Sequence, residues 1–284
     1  MNNHFKERAL TSGIGILLVA LAIYFSNHPY FRPFFVLINA AVISMAVIEY
    51  YKLAQHKGFF PQIWLGVGCT TAYVIASYLS MRYPDYASAL PAMILLGTFI
   101  LFFASYFHKS HDPLANLAVS TFGILYLTVP LTFGIEINYF AQEGDLGDGR
   151  LWLAYILVVT KITDIGGYLM GSLMGRTKLA PLISPKKTVE GAIGGLLAAV
   201  GASLCFYYFF INYHSLSLSQ SICLGLIISV LSLFGDLAES ILKRDAGVKD
   251  SNSLPGLGGI LDTVDSLVFT LPLMYLLLRM KFLG

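Results

Sequence analysis

Charge is what this sequence has least of. Only 12% of its 284 residues are charged, against roughly 25% in soluble domains. Meanwhile 56% are hydrophobic and the mean hydropathy is +0.71. An ordinary water-soluble globular domain is excluded, and a polytopic membrane protein takes its place. Cysteine is scarce too. Cys69, Cys205 and Cys223 make an odd count with no metal-ligand spacing, so neither a disulfide framework nor a thiolate metal site is available. Each falls in an apolar run and reads as a small core residue. The histidines (His4, His28, His56, His108, His111 and His214) fall in expected loops or helix ends. No serine or cysteine nucleophile has a histidine beside it, which discounts acyl-transfer triads and zinc sites. Low-complexity tracts and internal repeats are absent, and no nucleic-acid partner is expected.

Long apolar runs are what the sequence has instead. A spanning helix needs about 20 mostly apolar residues. Nine stretches qualify: 9–26, 34–54, 61–81, 89–107, 114–134, 151–173, 189–212, 219–242 and 262–280, with ends good to about 2–4 residues. The expected fold class is an all-α polytopic integral membrane protein with about nine transmembrane helices. The joints are short and carry turn residues such as Pro61, Pro84, Pro113 and Pro185. Lys6 and Arg8 precede the first run, but no small-residue cleavage site follows it, so it reads as a retained helix.

The basic residues sort by side. With the N-terminus cytosolic, 12 lysines and arginines fall on the cytosolic side, 5 on the other, and Lys161 within a span. The acidic loop Glu143 to Asp148 then lies outside, and the C-terminus lies opposite the N-terminus. Glu49 is the one acid inside the first five spans, whereas the last four contain Lys161, Asp164, Glu190, Asp236, Glu239, Asp262 and Asp265. Residues 1–140 therefore read as transmembrane scaffold, and residues 150–284 as the catalytic half with a cytosolic-side site.

Between Gly235 and Asp265 the chain concentrates six acidic and three basic residues. Charge in a bilayer is costly and marks function by default. Asp236, Glu239, Ser240 and Lys243 sit at i, i+3, i+4 and i+7, on one helical stripe. A carboxylate below a cation suits a metal–phosphate ligand; an ion path or a structural ion pair would use the same stripe. Asp262 and Asp265, again at i, i+3, open the last span after a glycine turn with Gly258 and Gly259. They are either helix caps favoured by the dipole or ligands, with the turn's N–H groups near a phosphate. Upstream, Ser184-Pro185-Lys186-Lys187-Thr188-Val189-Glu190 offers two cations before a helix start that Thr188 can cap. Lys161, Asp164 and Tyr168 share one face of the sixth span, with Gly166 and Gly167 allowing close helix contact. Hard oxygen donors point to magnesium.

These residues resemble the phosphatidate cytidylyltransferases, or CDP-diacylglycerol synthases. The likeness rests on Ser240, Lys243, Arg244, Lys249, Asp250, Gly258, Gly259, Asp262 and Asp265. Upstream it includes Asp236, Glu239, the Ser184 to Gly191 segment, Asp164 and Tyr168. Leu257 and Thr263 stand where the family signature has histidine and arginine, and the turn is one residue shorter. The resemblance implies transfer of CMP from CTP to phosphatidate in phospholipid biosynthesis, releasing pyrophosphate, at a bacterial-type inner membrane. It implies Mg2+ on Asp236 and Asp262, with Glu239 and Asp265 around them, and a second ion such as K+. Lys243, Arg244, Lys249 and Asp250 would be catalytic. Ser184, Lys186, Lys187, Thr188, Glu190, Ser240, Gly258, Gly259, Asp164 and Tyr168 would bind substrate. A homodimer is left open. Two other readings remain: a CTP-dependent kinase or cytidylyltransferase acting on a polyprenol- or phytol-type lipid, and a secondary transporter.

Overall fold

Helices dominate the computed structural model, which describes residues 3–107, 112–140, 148–209, 216–248 and 259–280, with side chains from residue 13 onward. In chain order they are α1 (Asn3–Phe25), α2 (Arg32–His56), α3 (Ile63–Arg82), α4 (Pro84–Ala87), α5 (Leu90–Tyr106) and α6 (Pro113–Gly123). A π-helical turn (Ile124–Thr128) leads into α7 (Val129–Asn138), followed by α8 (Gly149–Met174). After the strands β1 (Lys178–Ala180) and β2 (Ser184–Thr188) come α9 (Val189–Phe209), α10 (Leu218–Asp245), α11 (Ile260–Val264) and α12 (Leu267–Arg279). Among the described residues eight helical stretches are long and apolar enough to cross a membrane. Each matches one of the expected spans after the first. The apolar part of α1, Gly13–Phe25, is shorter.

Three local features depart from plain spanning helices. The segment after α8 forms an antiparallel β1–β2 hairpin, pairing Lys178 with Thr188 and Ala180 with Ser184, with an irregularity between. In the fifth span Pro130 has no N–H to give the Tyr126 carbonyl, and the helix widens there into the π-helical turn. The last span breaks at Asp265–Ser266 between α11 and α12, where one continuous helix was expected.

The chain forms two compact units, Met1–Tyr139 with Asp245–Val264, and Phe140–Arg244 with Asp265–Gly284. In the first, Tyr51 is wholly buried and its hydroxyl donates to the Ser120 carbonyl at 2.7 Å. Gly66 and Gly123 flank its ring so closely that a Cβ on either would reach it within 2.6 Å. Two helices thus close on one aromatic plate. Thr70 and Thr128 hydroxyls bond at 2.8 Å, tying α3 to the π-helical turn.

In the second unit α8 and α9 meet main chain to main chain. Gly166 faces Gly194 and Ala198, and Gly167 faces Gly191. Small residues let helix backbones approach where lipid offers no hydrophobic drive for association. Tyr155, Ser203 and Ser221 bond hydroxyl to hydroxyl at 2.8 and 2.9 Å deeper in the same unit. Large apolar side chains such as Ile165, Leu169, Ile193, Leu197 and Phe234 point outward, as spanning helices require. Cys69 is buried as expected, but Cys205 and Cys223 are exposed on their helices instead of packed in a core. A small apolar thiol meets no penalty on a surface that lipid covers.

Candidate active site

Four segments of the second unit place polar side chains together. From α8 come Lys161 and Asp164, one turn apart, with Lys161 Nζ 3.5 Å from Asp164 Oδ2. α10 supplies Ser232, whose hydroxyl donates to Asp164 Oδ1 at 3.2 Å, and Asp236 one turn further on. The break before α12 supplies Asp265 and Ser266. Lys161 Nζ donates to Ser266 Oγ at 3.3 Å, and Ser266 Oγ donates to Asp164 Oδ2 at 3.5 Å. The Asp265 carboxylate folds back onto the N–H of Ser266. β2 supplies Lys187, whose Nζ lies 2.6 Å from Asp236 Oδ2. Asp236 is within electrostatic range of both Asp164 and Asp265. Three carboxylates thus share one neighbourhood with two ammonium groups.

Local sequence explains this convergence. Gly235 lies against the backbone of the break: a Cβ there would overlap the Asp265 carbonyl oxygen and come within 3.0 Å of Ser266 Cα. With no side chain at 235, α10 comes near enough to bring Asp236 beside Asp265. Thr188 caps α9 as expected, its Oγ1 accepting from Gly191 N at 3.1 Å. It also fills the space beside Gly171 and Gly175. The hairpin is thereby fixed to α8 and α9, and Lys187 with it.

The other expected site residues are placed as follows. Glu239 is buried and pairs with Lys243 at 2.7 Å, one turn along α10. Arg244 Nε donates to the Ile183 carbonyl at 3.0 Å, which ties the hairpin tip to α10. Glu190 accepts from the N–H groups of Arg176 and Thr177 at 3.0 and 3.1 Å, so its carboxylate closes the base of the hairpin. Ser184 and Lys186 lie on β2, Lys186 exposed. Ser240 is half-buried on α10, and Tyr168 is 75% exposed on α8. Lys249, Asp250 and Gly258 lie outside the described residues.

Asp262 belongs to the first unit, on α11. Its Oδ2 accepts from Gly259 N at 3.1 Å, so that N–H is directed at the aspartate and not at an outside anion. Sequence reasoning missed three residues. Ser232 and Ser266 looked like ordinary helix serines, although both bond Asp164. Glu49 was noticed only as a lone acid; its partners are backbone N–H groups 211 and 212 positions away.

The sequence profile of the cytidylyltransferase family matches residues 6–281. The chain belongs to this family. Its relatives include proteins named phosphatidate cytidylyltransferase from Chlamydia pneumoniae, Staphylococcus haemolyticus and Synechocystis sp. The first is 32% identical over 283 residues, covering 96% of this chain and 91% of the relative. The second is 32% identical, covering 96% and 98%. The third is 32% identical, covering 95% and 94%. The family therefore spans both compact units, and the segment that resembled it in sequence is only the more distinctive part.

Among the described residues no three of His, Cys, Asp and Glu converge tightly enough to hold a metal ion by themselves. Magnesium keeps several waters and takes one or two carboxylates plus substrate phosphates. Asp236, an oxygen donor 38% exposed and beside two further carboxylates, fits that kind of site.

Proposed function

We propose that this chain is a phosphatidate cytidylyltransferase. It would transfer CMP from CTP to the phosphate of phosphatidate, giving CDP-diacylglycerol and pyrophosphate. The carrying observation is the cluster of Asp164, Asp236 and Asp265 with Lys161 and Lys187. It lies in a chain that relatives of that name match from end to end.

The reaction asks for what such a cluster can give. An oxygen of the phosphatidate phosphate attacks the α-phosphorus of CTP, the bond to the β-phosphate breaks, and pyrophosphate leaves with that electron pair. The attacking oxygen is already anionic at neutral pH, so no general base is needed; this suits a site whose signature histidine is Leu257. What the site must do is bring two polyanions together and hold them in line. In the second unit Asp236 is the proposed magnesium ligand. Asp262 is proposed as a ligand from the first unit and is tested separately. Bound magnesium would supply charge neutralisation on the triphosphate. A monovalent ion such as potassium is the second ion we propose.

Lys187 and Lys161 carry the cationic charge inside the cluster, and Lys187 is free to exchange Asp236 for a phosphate oxygen because their pairing is a single ionic contact. Asp164, held by Lys161, Ser232 and Ser266, orients Lys161. Lys243, Arg244 and Lys249 are proposed to offset the charge of departing pyrophosphate, with Lys186 at the hairpin surface. Residues 150–284 would carry most of this chemistry, and residues 1–140 would be scaffold. The site would face the cytosol with the N-terminus, a reading supported by the bias of lysine and arginine, 12 against 5.

Purified protein in detergent, given labelled CTP and phosphatidate, is expected to yield labelled lipid and pyrophosphate in equal amounts. Release of CDP would instead make it a lipid kinase and overturn this reading.

A further inference from the structure

We propose that Glu49 is a positioning residue that sets the orientation of Asp262 through the backbone of α11. The proposal rests on Asp262 serving the reaction, as put forward above. Glu49 is 2% exposed, near the end of α2. A carboxylate at that depth is costly unless hydrogen-bonded. Its Oε1 accepts from Ile260 N at 3.0 Å, and its Oε2 accepts from Leu261 N at 2.7 Å.

These bonds matter because of what α11 lacks. It is five residues long, from Ile260 to Val264, too short to hold itself together, since the first helical turn is costly to nucleate. The residue before it is Gly259, which has no side chain with which to cap. Asp262, at the third helical position, reaches back to the Gly259 N–H at 3.1 Å, the same bond a capping-box acid makes. Gly259 has no side chain to make the reciprocal bond of the box, and Glu49, from another helix, instead takes the next two N–H groups, those of Ile260 and Leu261. Three successive N–H groups, of Gly259, Ile260 and Leu261, are thus each held by a carboxylate. Rotating α11 about its axis would break the Glu49 pair and swing Asp262 with it. Glu49 acts on the aspartate through this backbone.

Three variants test this: Glu49→Gln, Ile260→Pro and Asp262→Asn. Glutamine keeps one acceptor and presents an NH2 group to the other backbone N–H. Proline deletes the Ile260 donor at a first helical position, which tolerates it, and leaves the Glu49 charge intact. Glu49→Gln is expected to lower kcat about 10–100-fold, as small misplacements of a reacting group do. It should also raise the magnesium concentration needed for half-maximal activity about fivefold or more, with KM for phosphatidate unchanged. In the nucleotide-free protein, hydrogen exchange across 259–264 should quicken. Ile260→Pro should shift the magnesium dependence in the same direction, and it decides the matter alone if Glu49→Gln does not fold. A merely structural anchor would reduce the amount of active enzyme and leave its magnesium dependence where it was; that result overturns the proposal. Full activity in Asp262→Asn would instead remove the role of Asp262. An inactive Asp262→Asn beside Glu49→Gln and Ile260→Pro enzymes of normal magnesium dependence would remove only the role of Glu49.

Discussion

Gly235→Ala adds a single methyl group and should nearly silence the enzyme. The added Cβ would lie 3.0 Å from Ser266 Cα and still closer to the Asp265 carbonyl oxygen. Carbon atoms settle at about 3.5–4.0 Å, so α10 or the Asp265–Ser266 break must retreat by roughly 0.5–1 Å. Both opposing atoms are main chain, so no rotamer change relieves the overlap. Overpacking of this kind costs about 1–3 kcal/mol, against a total stability of about 5–15 kcal/mol. The protein should therefore stay folded with a lowered melting temperature. Asp236 is the next residue along α10, and moving it by up to ~1 Å against Asp265 is expected to lower kcat by about 100-fold. The assay is product formation from labelled CTP and phosphatidate, alongside thermal melting in detergent. Gly201→Ala is the control, because nothing lies within 4 Å of a Cβ there. A Gly235→Ala enzyme with wild-type kcat would refute the idea that close approach at this glycine sets the site.

Asp236→Asn and Asp262→Asn are each expected to abolish turnover while the protein still inserts and melts cooperatively; substantial CTP-dependent activity in either removes that residue from the metal assignment. Excess EDTA should stop the reaction and added magnesium or manganese should restore it, measured as pyrophosphate release; turnover undiminished by EDTA refutes the metal requirement. Asp148 caps α8 through the Arg150 N–H at 3.0 Å and pairs with the Arg150 guanidinium. Burial works to raise its pKa, but those hydrogen bonds and the positive charge of Arg150 outweigh it and hold the carboxyl below its ordinary value. Because the folded-state pKa is depressed, its stabilisation is fully present above the ordinary carboxylate range and fades as pH falls through the depressed value. Asp148→Ala should therefore cost about 1 kcal/mol at neutral pH. The gap in melting temperature between wild type and variant should close below about pH 4; a gap independent of pH would refute the charge-based account.

The spanning helices were legible because lipid leaves the backbone no other solution, and a run of about 20 apolar residues admits one reading. The cap at Thr188 and the close contacts of Gly166 and Gly167 were legible for a similar reason, since each depends on neighbours a few residues away or on side-chain size alone. The hairpin was not legible. Ser184 to Thr188 contains a proline and two lysines, and nothing in that string marks a strand; pairing with Lys178 to Ala180 makes it one. The break at Asp265–Ser266 was hidden because acids at i, i+3 suit an unbroken first turn equally well. Glu49 was visible as an oddity, but its purpose was not, because its partners are backbone groups that every residue carries. The carboxylate stripe expected on α10 lies on one helix, and two of its members, Glu239 and Lys243, pair with each other at 2.7 Å.

The α8–α9 joint carries a further consequence. Where Gly166, Gly167, Gly191 and Gly194 meet, backbone touches backbone, and the few side chains at the seam are Ala198, Met170 and Thr188. Such a seam has few torsions to readjust and loses little side-chain freedom on forming. It behaves like a weld: the heights of Asp164 along one rod and of Thr188 at the foot of the other are set by peptide geometry, and distortion applied at either end is passed along instead of absorbed.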